Sequence, residues 1–147
     1  MRALRLASLV IACAGVVLTS CSGKGGNGGP AGWSKVDATT WVQGSGAAQE
    51  RYVSTSTAFS GSLKDLASQE TINVILRYPG AHFVSSVPLA ACPGEAGLAT
   101  FRSRKATIES AFSVQNDRAL TILYERPAGA KPSDAVTSAL GAALCNV

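Results

Sequence analysis

The sequence predicts an α+β domain in which a single antiparallel β-sheet is packed with two helices. Segments rich in β-branched and aromatic residues follow one another with short turns between them, which favours antiparallel strands. Two other segments begin with a serine that can cap a helix and then repeat apolar residues at helical spacing. Strands in series, with one helix between them and one after them, are typical of a sheet with helices against it.

Residues 1–20 predict an export signal. Arg2 and Arg5 precede an apolar run over residues 6–18, and small residues follow it. A positive start, a short apolar stretch and a small-residue end are typical of a secretory signal peptide. The run is about a dozen residues long, whereas a membrane-spanning helix needs roughly 20. We therefore expect cleavage, and a mature chain that begins at Cys21.

The end of this segment reads Leu18-Thr19-Ser20-Cys21 and resembles the lipobox of bacterial lipoproteins. The resemblance implies that the Cys21 thiol carries diacylglycerol and that fatty acyl chains such as palmitate anchor the protein to a membrane of the cell envelope. Ser22 stands where aspartate often marks inner-membrane retention, which implies an outer membrane facing the periplasm in an organism that has one. An ordinary signal peptide with a chance cysteine is the alternative.

Residues 21–32 predict a lipidated cysteine followed by a flexible tether, because glycine dominates this stretch. Gly23, Gly25 and Gly28 match the spacing G-x-G-x-x-G, but that motif binds a pyrophosphate only between a strand and a helix. Here the predicted anchor precedes it and Pro30 follows it. Residues 33–147 then predict one domain of ordinary size.

The predicted elements of this domain follow in order. Residues 33–42 predict a short first strand and a turn, and further strands are predicted at residues 51–60, 81–89, 98–102, 107–114 and 119–126. Ser62 is the predicted cap of a helix that ends at Tyr78-Pro79-Gly80, and Ser133 is the predicted cap of a closing helix. Residues 115–117 predict a hairpin turn, since Asn and Asp tolerate turn conformations.

The predicted core takes apolar side chains from every element. Phe83 and Val87 are assigned to it because residues 82–88 alternate as in a half-buried strand. The predicted core residues are Phe59, Leu63, Leu66, Val74, Phe83, Val87, Phe112, Ile122, Tyr124, Val136, Leu140 and Leu144. Trp33 and Trp41 are expected to pack in the core or at its rim, with a membrane or ligand surface as the alternative.

Three features of this layout resemble a known architecture. They are Phe59-Ser60-Gly61-Ser62 before the first helix, a hairpin that ends in Leu123-Tyr124-Glu125-Arg126, and the short closing helix. This arrangement resembles the PsbP-like sandwich, which photosystem II extrinsic subunits share with several bacterial lipoproteins. The resemblance implies a fold and no particular function.

Charge and motif content favour binding over catalysis. Without the signal the chain has eleven basic and nine acidic residues, a net charge of +2 that gives no case for nucleic acid. His82 is the single histidine, the acidic residues are scattered, and no catalytic motif nominates a nucleophile. No cofactor and no metal are predicted. Arg102, Arg104 and Lys105 form the one basic cluster, either a solvated hairpin tip or a contact for anionic lipid or an acidic partner.

The sequence therefore predicts a non-enzymatic lipoprotein of the cell envelope that binds a partner protein or a small apolar ligand. One alternative is a small envelope hydrolase that uses His82. Another is a lipid carrier, which would need an apolar cavity between the sheet and the helices.

The domain contains two cysteines, Cys92 and Cys145. They predict a disulfide, because an even number of cysteines in an oxidising compartment normally forms disulfide bonds. Cys13 belongs to the signal segment and Cys21 to the anchor. A bridge across a loop of about 50 residues would add roughly 4 kcal/mol on the chain-entropy estimate. A metal or redox site is the rival, but a Cys-x-x-Cys pair is missing and only His82 could add an imidazole.

The disulfide is tested by alkylation of the native protein. We expect Cys92 and Cys145 to resist a thiol reagent until a reductant is added, because a bridged sulfur is not nucleophilic. Peptide mapping by mass spectrometry reads the labelling at each cysteine. Labelling of both residues in the folded, non-reduced protein would contradict the pairing.

Overall fold

The computed structural model describes residues 28–89 and 94–145, with Cys145 described by its backbone alone. Cys21 and Cys92 lie outside these residues, so lipid attachment and the disulfide stay predictions.

The described chain forms a seven-stranded antiparallel sheet and two α-helices. The strands are β1 (Ser34–Lys35), β2 (Thr40–Gln43), β3 (Glu50–Ala58), β4 (His82–Pro88), β5 (Glu95–Arg102), β6 (Ala106–Gln115) and β7 (Arg118–Pro127). The helices are α1 (Leu63–Arg77) and α2 (Asp134–Cys145), and a 3-10 turn covers Gly46–Ala48. The strand order across the sheet is β1-β2-β3-β7-β6-β5-β4. The predicted α+β class is confirmed.

The two helices cover opposite faces of the sheet because the central strands are apolar on both sides. On β7, Leu123 belongs to the core under α1, whereas Ile122 and Tyr124 belong to the core under α2. Successive side chains of a strand point to opposite faces, so one strand supplies both cores. We call the two sides the α1 face and the α2 face.

Helix α1 begins at a capping box. The Ser62 hydroxyl accepts a hydrogen bond from the Asp65 amide at 3.2 Å, and the Asp65 carboxylate accepts one from the Ser62 amide at 2.9 Å. These bonds satisfy amides that the first turn leaves without partners. The hydrogen bonds from Ser62 hold the pKa of Asp65 below its ordinary value. The predicted cap is confirmed.

Helix α1 buries one face only. Leu66 and Val74 are almost completely buried against the sheet. Ile72, Ile75 and Leu76 lie on the opposite side, with exposed fractions of 59%, 44% and 75%. These three residues form an apolar stripe on the helix surface, since side chains three and four positions apart are neighbours.

The hairpin between β6 and β7 has the two-residue turn that the sequence predicts. Gln115 pairs with Arg118, and Asn116 and Asp117 between them have φ angles of 52° and 57°. Both residues adopt the left-handed region, as the type I′ turn that matches the strand twist requires. Asn and Asp tolerate this region better than other non-glycine residues.

The core prediction holds for ten of its twelve residues and is wrong for Phe83 and Val87. The ten that are buried or packed against the core are Phe59, Leu63, Leu66, Val74, Phe112, Ile122, Tyr124, Val136, Leu140 and Leu144. Phe83 and Val87 are 48% and 49% exposed, because β4 is an edge strand whose residues are all exposed.

A break in register also overturns the predicted alternation along β4. Phe83 pairs with Phe101 on the α1 face, whereas Val87 pairs with Leu98, whose side chain packs in the core of the α2 face. The register shifts between Phe83 and Ser85. A bulge adds one residue to the strand, so side chains beyond it change face.

Gly29, inside the stretch assigned to the tether, packs against the domain. A Cβ atom at Gly29 would overlap the Trp41 ring, so only glycine lets the backbone pass this close to the indole. Pro30 is buried, and its carbonyl accepts a hydrogen bond from the Trp33 amide at 3.3 Å. The chain therefore packs onto the domain four residues before Trp33.

The cap of α1 gives a stability test. Ser62→Ala should lower the free energy of unfolding by about 1 kcal/mol, because the Asp65 amide loses its acceptor. Urea denaturation monitored by circular dichroism measures the change. Ser60→Ala is the control, since Ser60 is exposed and lies outside the capping box. Equal stability of the Ser62→Ala protein and the wild type would contradict the assigned role of the cap.

Candidate functional site

An open groove of about 780 Å³ lies on the α1 face, between α1 and strands β2, β3 and β7. It exists because α1 packs over β5 and β6 and leaves the neighbouring strands uncovered on this side. We call it the central groove. Its floor comes from the sheet, and its wall comes from the second half of α1.

The floor of the central groove combines hydroxyl groups with apolar side chains. The hydroxyl oxygens of Thr55 and Thr121 are 2.7 Å apart and share a hydrogen bond across β3 and β7. Val53 and Leu123 lie in the same two strands and line the groove beside them. A hydroxyl keeps acceptor capacity after it has donated one bond, so this floor can still bind a polar ligand.

The wall of the central groove holds its carboxylate in place. One oxygen of Glu70 accepts a hydrogen bond from the Asn73 amide at 3.2 Å, and the other accepts one from the Ser110 hydroxyl at 3.2 Å. Arg77, one turn further along α1, lines the same wall. Both carboxylate oxygens of Glu70 thus already accept a hydrogen bond from the protein.

Two guanidinium groups lie at one end of the central groove. Arg51 comes from β3 and Arg77 from the last turn of α1. Among the described residues, no carboxylate oxygen lies within 4.0 Å of the Arg51 or the Arg77 guanidinium. The ion pair of the described chain joins Arg126 to Glu109. Two guanidiniums without an ion pair are suited to bind an anionic group at this end of the groove, whose lining elsewhere includes the carboxylates of Asp37 and Glu70.

Tyr78 and Glu125 define the boundary of this cationic end. The Tyr78 hydroxyl donates to the Glu125 carboxylate at 3.0 Å. Burial and then the charge of Glu125 raise the pKa of Tyr78 to about 12, while Arg51 and Arg77 act in the opposite direction. Glu125 therefore binds a neutral phenol at neutral pH, and both arginines lie close enough to influence that phenol.

A second hollow of about 620 Å³ lies beside the first half of α1, towards β4 and β5. Its lining is mainly apolar and includes Leu63, Ala67, Leu89 and Phe112. A Cβ atom at Gly97 would lie 2.7 Å from the Phe112 ring, so a glycine here makes room for that ring. We call this hollow the edge groove.

His82 does not assemble a catalytic site in the described part of the chain. It starts the edge strand β4, is exposed, and pairs across the sheet with Arg102. No hydroxyl or carboxylate among the described residues forms a hydrogen bond with its ring. A nucleophile and an orienting acid are what a hydrolase would need there.

The predicted basic cluster lies at the turn between β5 and β6. Arg102, Arg104 and Lys105 are all exposed. The Ser103 hydroxyl fixes the turn by accepting hydrogen bonds from the amides of Lys105 at 3.3 Å and Ala106 at 3.1 Å. None of the three cations is in an ion pair with a described carboxylate. The predicted hairpin tip is therefore present, and a binding role for it stays a prediction.

Two further features are absent from residues 28–89 and 94–145. No three His, Cys, Asp or Glu side chains in these ranges come together as metal ligands would. None of the helices there is both long and apolar enough to cross a membrane.

The described neighbours of the predicted disulfide lie close together. The Gln115 side-chain amide donates to the Leu144 carbonyl at 3.2 Å. A Cβ atom at Gly94 would lie 3.8 Å from the same amide nitrogen. Gly94, two positions after Cys92, and Leu144, next to Cys145, thus share Gln115 as a neighbour, and the pairing stays a prediction.

The α2 face buries a polar network that the sequence analysis missed. Arg126, which is only 7% exposed, donates to the Glu109 carboxylate at 2.8 Å and to the Ala130 carbonyl at 2.8 Å. Its guanidinium also lies 5.2 Å from the centre of the Tyr124 ring. The Tyr124 hydroxyl donates to Glu50 at 2.7 Å, and burial followed by this bond raises the pKa of Tyr124.

Trp33 and Trp41 belong to the same face and are core residues, as expected. Trp33 packs edge-on against Tyr124 with ring centres 6.2 Å apart, and Trp41 packs edge-on against Tyr52 at 5.8 Å. Both indoles are less than a tenth exposed. They are therefore not available as a membrane or ligand surface.

No protein-family model and no curated protein matches this chain.

Proposed function

We propose that this protein is a lipid-anchored binding protein of the bacterial cell envelope, without catalytic activity. In this proposal the central groove recognises an acidic segment of a partner protein. The observation that carries the proposal is the pair of unpaired guanidiniums, Arg51 and Arg77, at the end of an open groove with a threonine floor.

The lipid anchor rests on the sequence Leu18-Thr19-Ser20-Cys21 behind an export signal. Kinship with PsbP-like lipoproteins is part of the same proposal, and a single antiparallel sheet between two helices is compatible with it. An anchored domain meets its partner at the membrane surface, which raises the local concentration of both.

A protein partner fits this surface better than a small apolar ligand. The central groove presents hydroxyl, amide and charged groups as well as apolar ones. Beside it, Ile72, Ile75 and Leu76 form the exposed apolar stripe of α1, and Leu76 belongs to both surfaces. Exposed apolar groups next to complementary charges are typical of protein interaction sites.

A small apolar ligand in the edge groove is the second candidate. The apolar lining from Leu63, Ala67 and Phe112 favours it. The lipid-carrier alternative gains less support, because packed side chains fill both helix–sheet interfaces in the described chain. The hydrolase alternative gains no support, because no hydroxyl or carboxylate of the described residues forms a hydrogen bond with the His82 ring.

The proposal is tested by photo-crosslinking in the native host. A benzophenone amino acid at Leu76 should form a covalent adduct with the partner protein, since this position lies on the groove wall. The same probe at Ser138, which is exposed on α2, serves as the positional control. Combining the Leu76 probe with Arg51→Glu and Arg77→Glu should lower the adduct yield at least tenfold, because an acidic segment would be repelled.

Lys64→Glu with Arg118→Glu is the matched charge control, since both residues are exposed and lie outside the groove. It should leave the adduct yield within twofold of the wild type. Equal adduct yields at Leu76 and Ser138, or an adduct indifferent to the charge of Arg51 and Arg77, would refute the groove as the binding site.

A further inference from the structure

Several elements of the fold end on the same side of the sheet. His82 pairs with Arg102, Arg102 pairs with Thr107, and Thr107 pairs with Arg126, so the start of β4 and the β5–β6 turn form one edge of the molecule. The last turn of α1 lies here too, because Tyr78 binds Glu125 two positions before the end of β7. We call this side the basic end.

The basic end carries exposed positive charge that the protein does not neutralise. Arg102, Arg104 and Lys105 are exposed, and within the described residues none of them forms an ion pair. Three carboxylates at this end bind other groups, since Glu50 binds Tyr124, Glu109 binds Arg126 and Glu125 binds Tyr78, whereas Asp134 at the start of α2 is exposed. The three cations are thus available to an external anion.

Apolar side chains accompany these cations. Phe83 and Val84, next to His82 in β4, are 48% and 43% exposed. An edge strand of this kind could also accept an added strand, but the bulge between Phe83 and Ser85 and the proline at position 88 interrupt its regular backbone. Both features oppose strand addition. Exposed apolar groups beside unpaired cations match the chemistry of an anionic bilayer surface.

The first described turn of the chain lies towards the same end. Ser34 pairs antiparallel with Val42, so the turn from Pro30 to Trp33 lies on this side, and Gly29 before it passes against Trp41. The seven positions from Ser22 to Gly28 can span at most about 25 Å when fully extended. A lipid on Cys21 would therefore keep the domain close enough to the membrane for this end to touch it.

We infer that the basic end is a second membrane contact, which binds anionic phospholipid and orients the tethered domain with its strands upright on the bilayer. The inference rests on the lipid anchor of the proposed function and assigns the surface that meets the lipid. The central groove then opens close to the membrane, since Arg51 and Arg77 lie at the same end.

Vesicle co-sedimentation of residues 22–147 without the lipid tests the inference. This portion retains the described core, because every residue of both core clusters lies after position 28. At low salt it should bind vesicles of phosphatidylcholine and phosphatidylglycerol at 3:1 and leave pure phosphatidylcholine vesicles unbound. Arg104→Gln with Lys105→Gln should lower the partition coefficient about thirtyfold, which corresponds to roughly 1 kcal/mol for each basic residue.

Lys64→Gln with Arg118→Gln is the control, because it removes the same net charge at the opposite end of the sheet. This pair should change the partition coefficient less than twofold. Equal losses in both double variants, or no binding to the anionic vesicles, would overturn the inference. Since the protein in this assay carries no lipid, such a failure leaves the Cys21 anchor and the groove crosslink to be judged by their own measurements.

Discussion

The pairing of β7 with both β3 and β6 is the constraint on which the rest of the structure depends. It joins the amino-terminal strands to the β4–β6 meander, with eight residue pairs on one side and ten on the other. Because β7 is covered on both sides, Ile122 and Leu123 can be buried in different cores. A shift of one residue in this register would turn every side chain of the strand to the wrong face.

The same sheet explains where the binding surfaces lie. Seven strands are wider than a single helix can cover, so each face keeps uncovered strands beside its helix. On the α1 face this leaves the central groove between α1 and the strands β2, β3 and β7. Several strands and α1 also end on the same side of the sheet. Cations from separate segments of the chain therefore lie together at the basic end. The proposed binding groove is therefore a part of the sheet that the helices leave uncovered.

Local features of this fold could be predicted from the sequence, whereas features that depend on strand neighbours could not. The Ser62 cap and the Asn116-Asp117 turn depend on a few adjacent residues, and both are present. The exposure of Phe83 depends on β4 being the last strand and on a bulge, neither of which the alternating pattern reveals. A single arginine such as Arg126 would be expected at the surface, but it is buried because its partner Glu109 lies in the neighbouring strand. The groove cations escaped prediction for the same reason, since Arg51 and Arg77 come from a strand and a helix distant in sequence.

The central claim is that a lipid holds this domain at a membrane of the cell envelope. It is tested most directly by mass spectrometry of the amino-terminal peptide of protein extracted from membranes of its native host. The account predicts a peptide that begins at Cys21 and carries diacylglycerol on the sulfur. A peptide that retains residues 1–20, or one whose cysteine carries no fatty chain, would contradict the account.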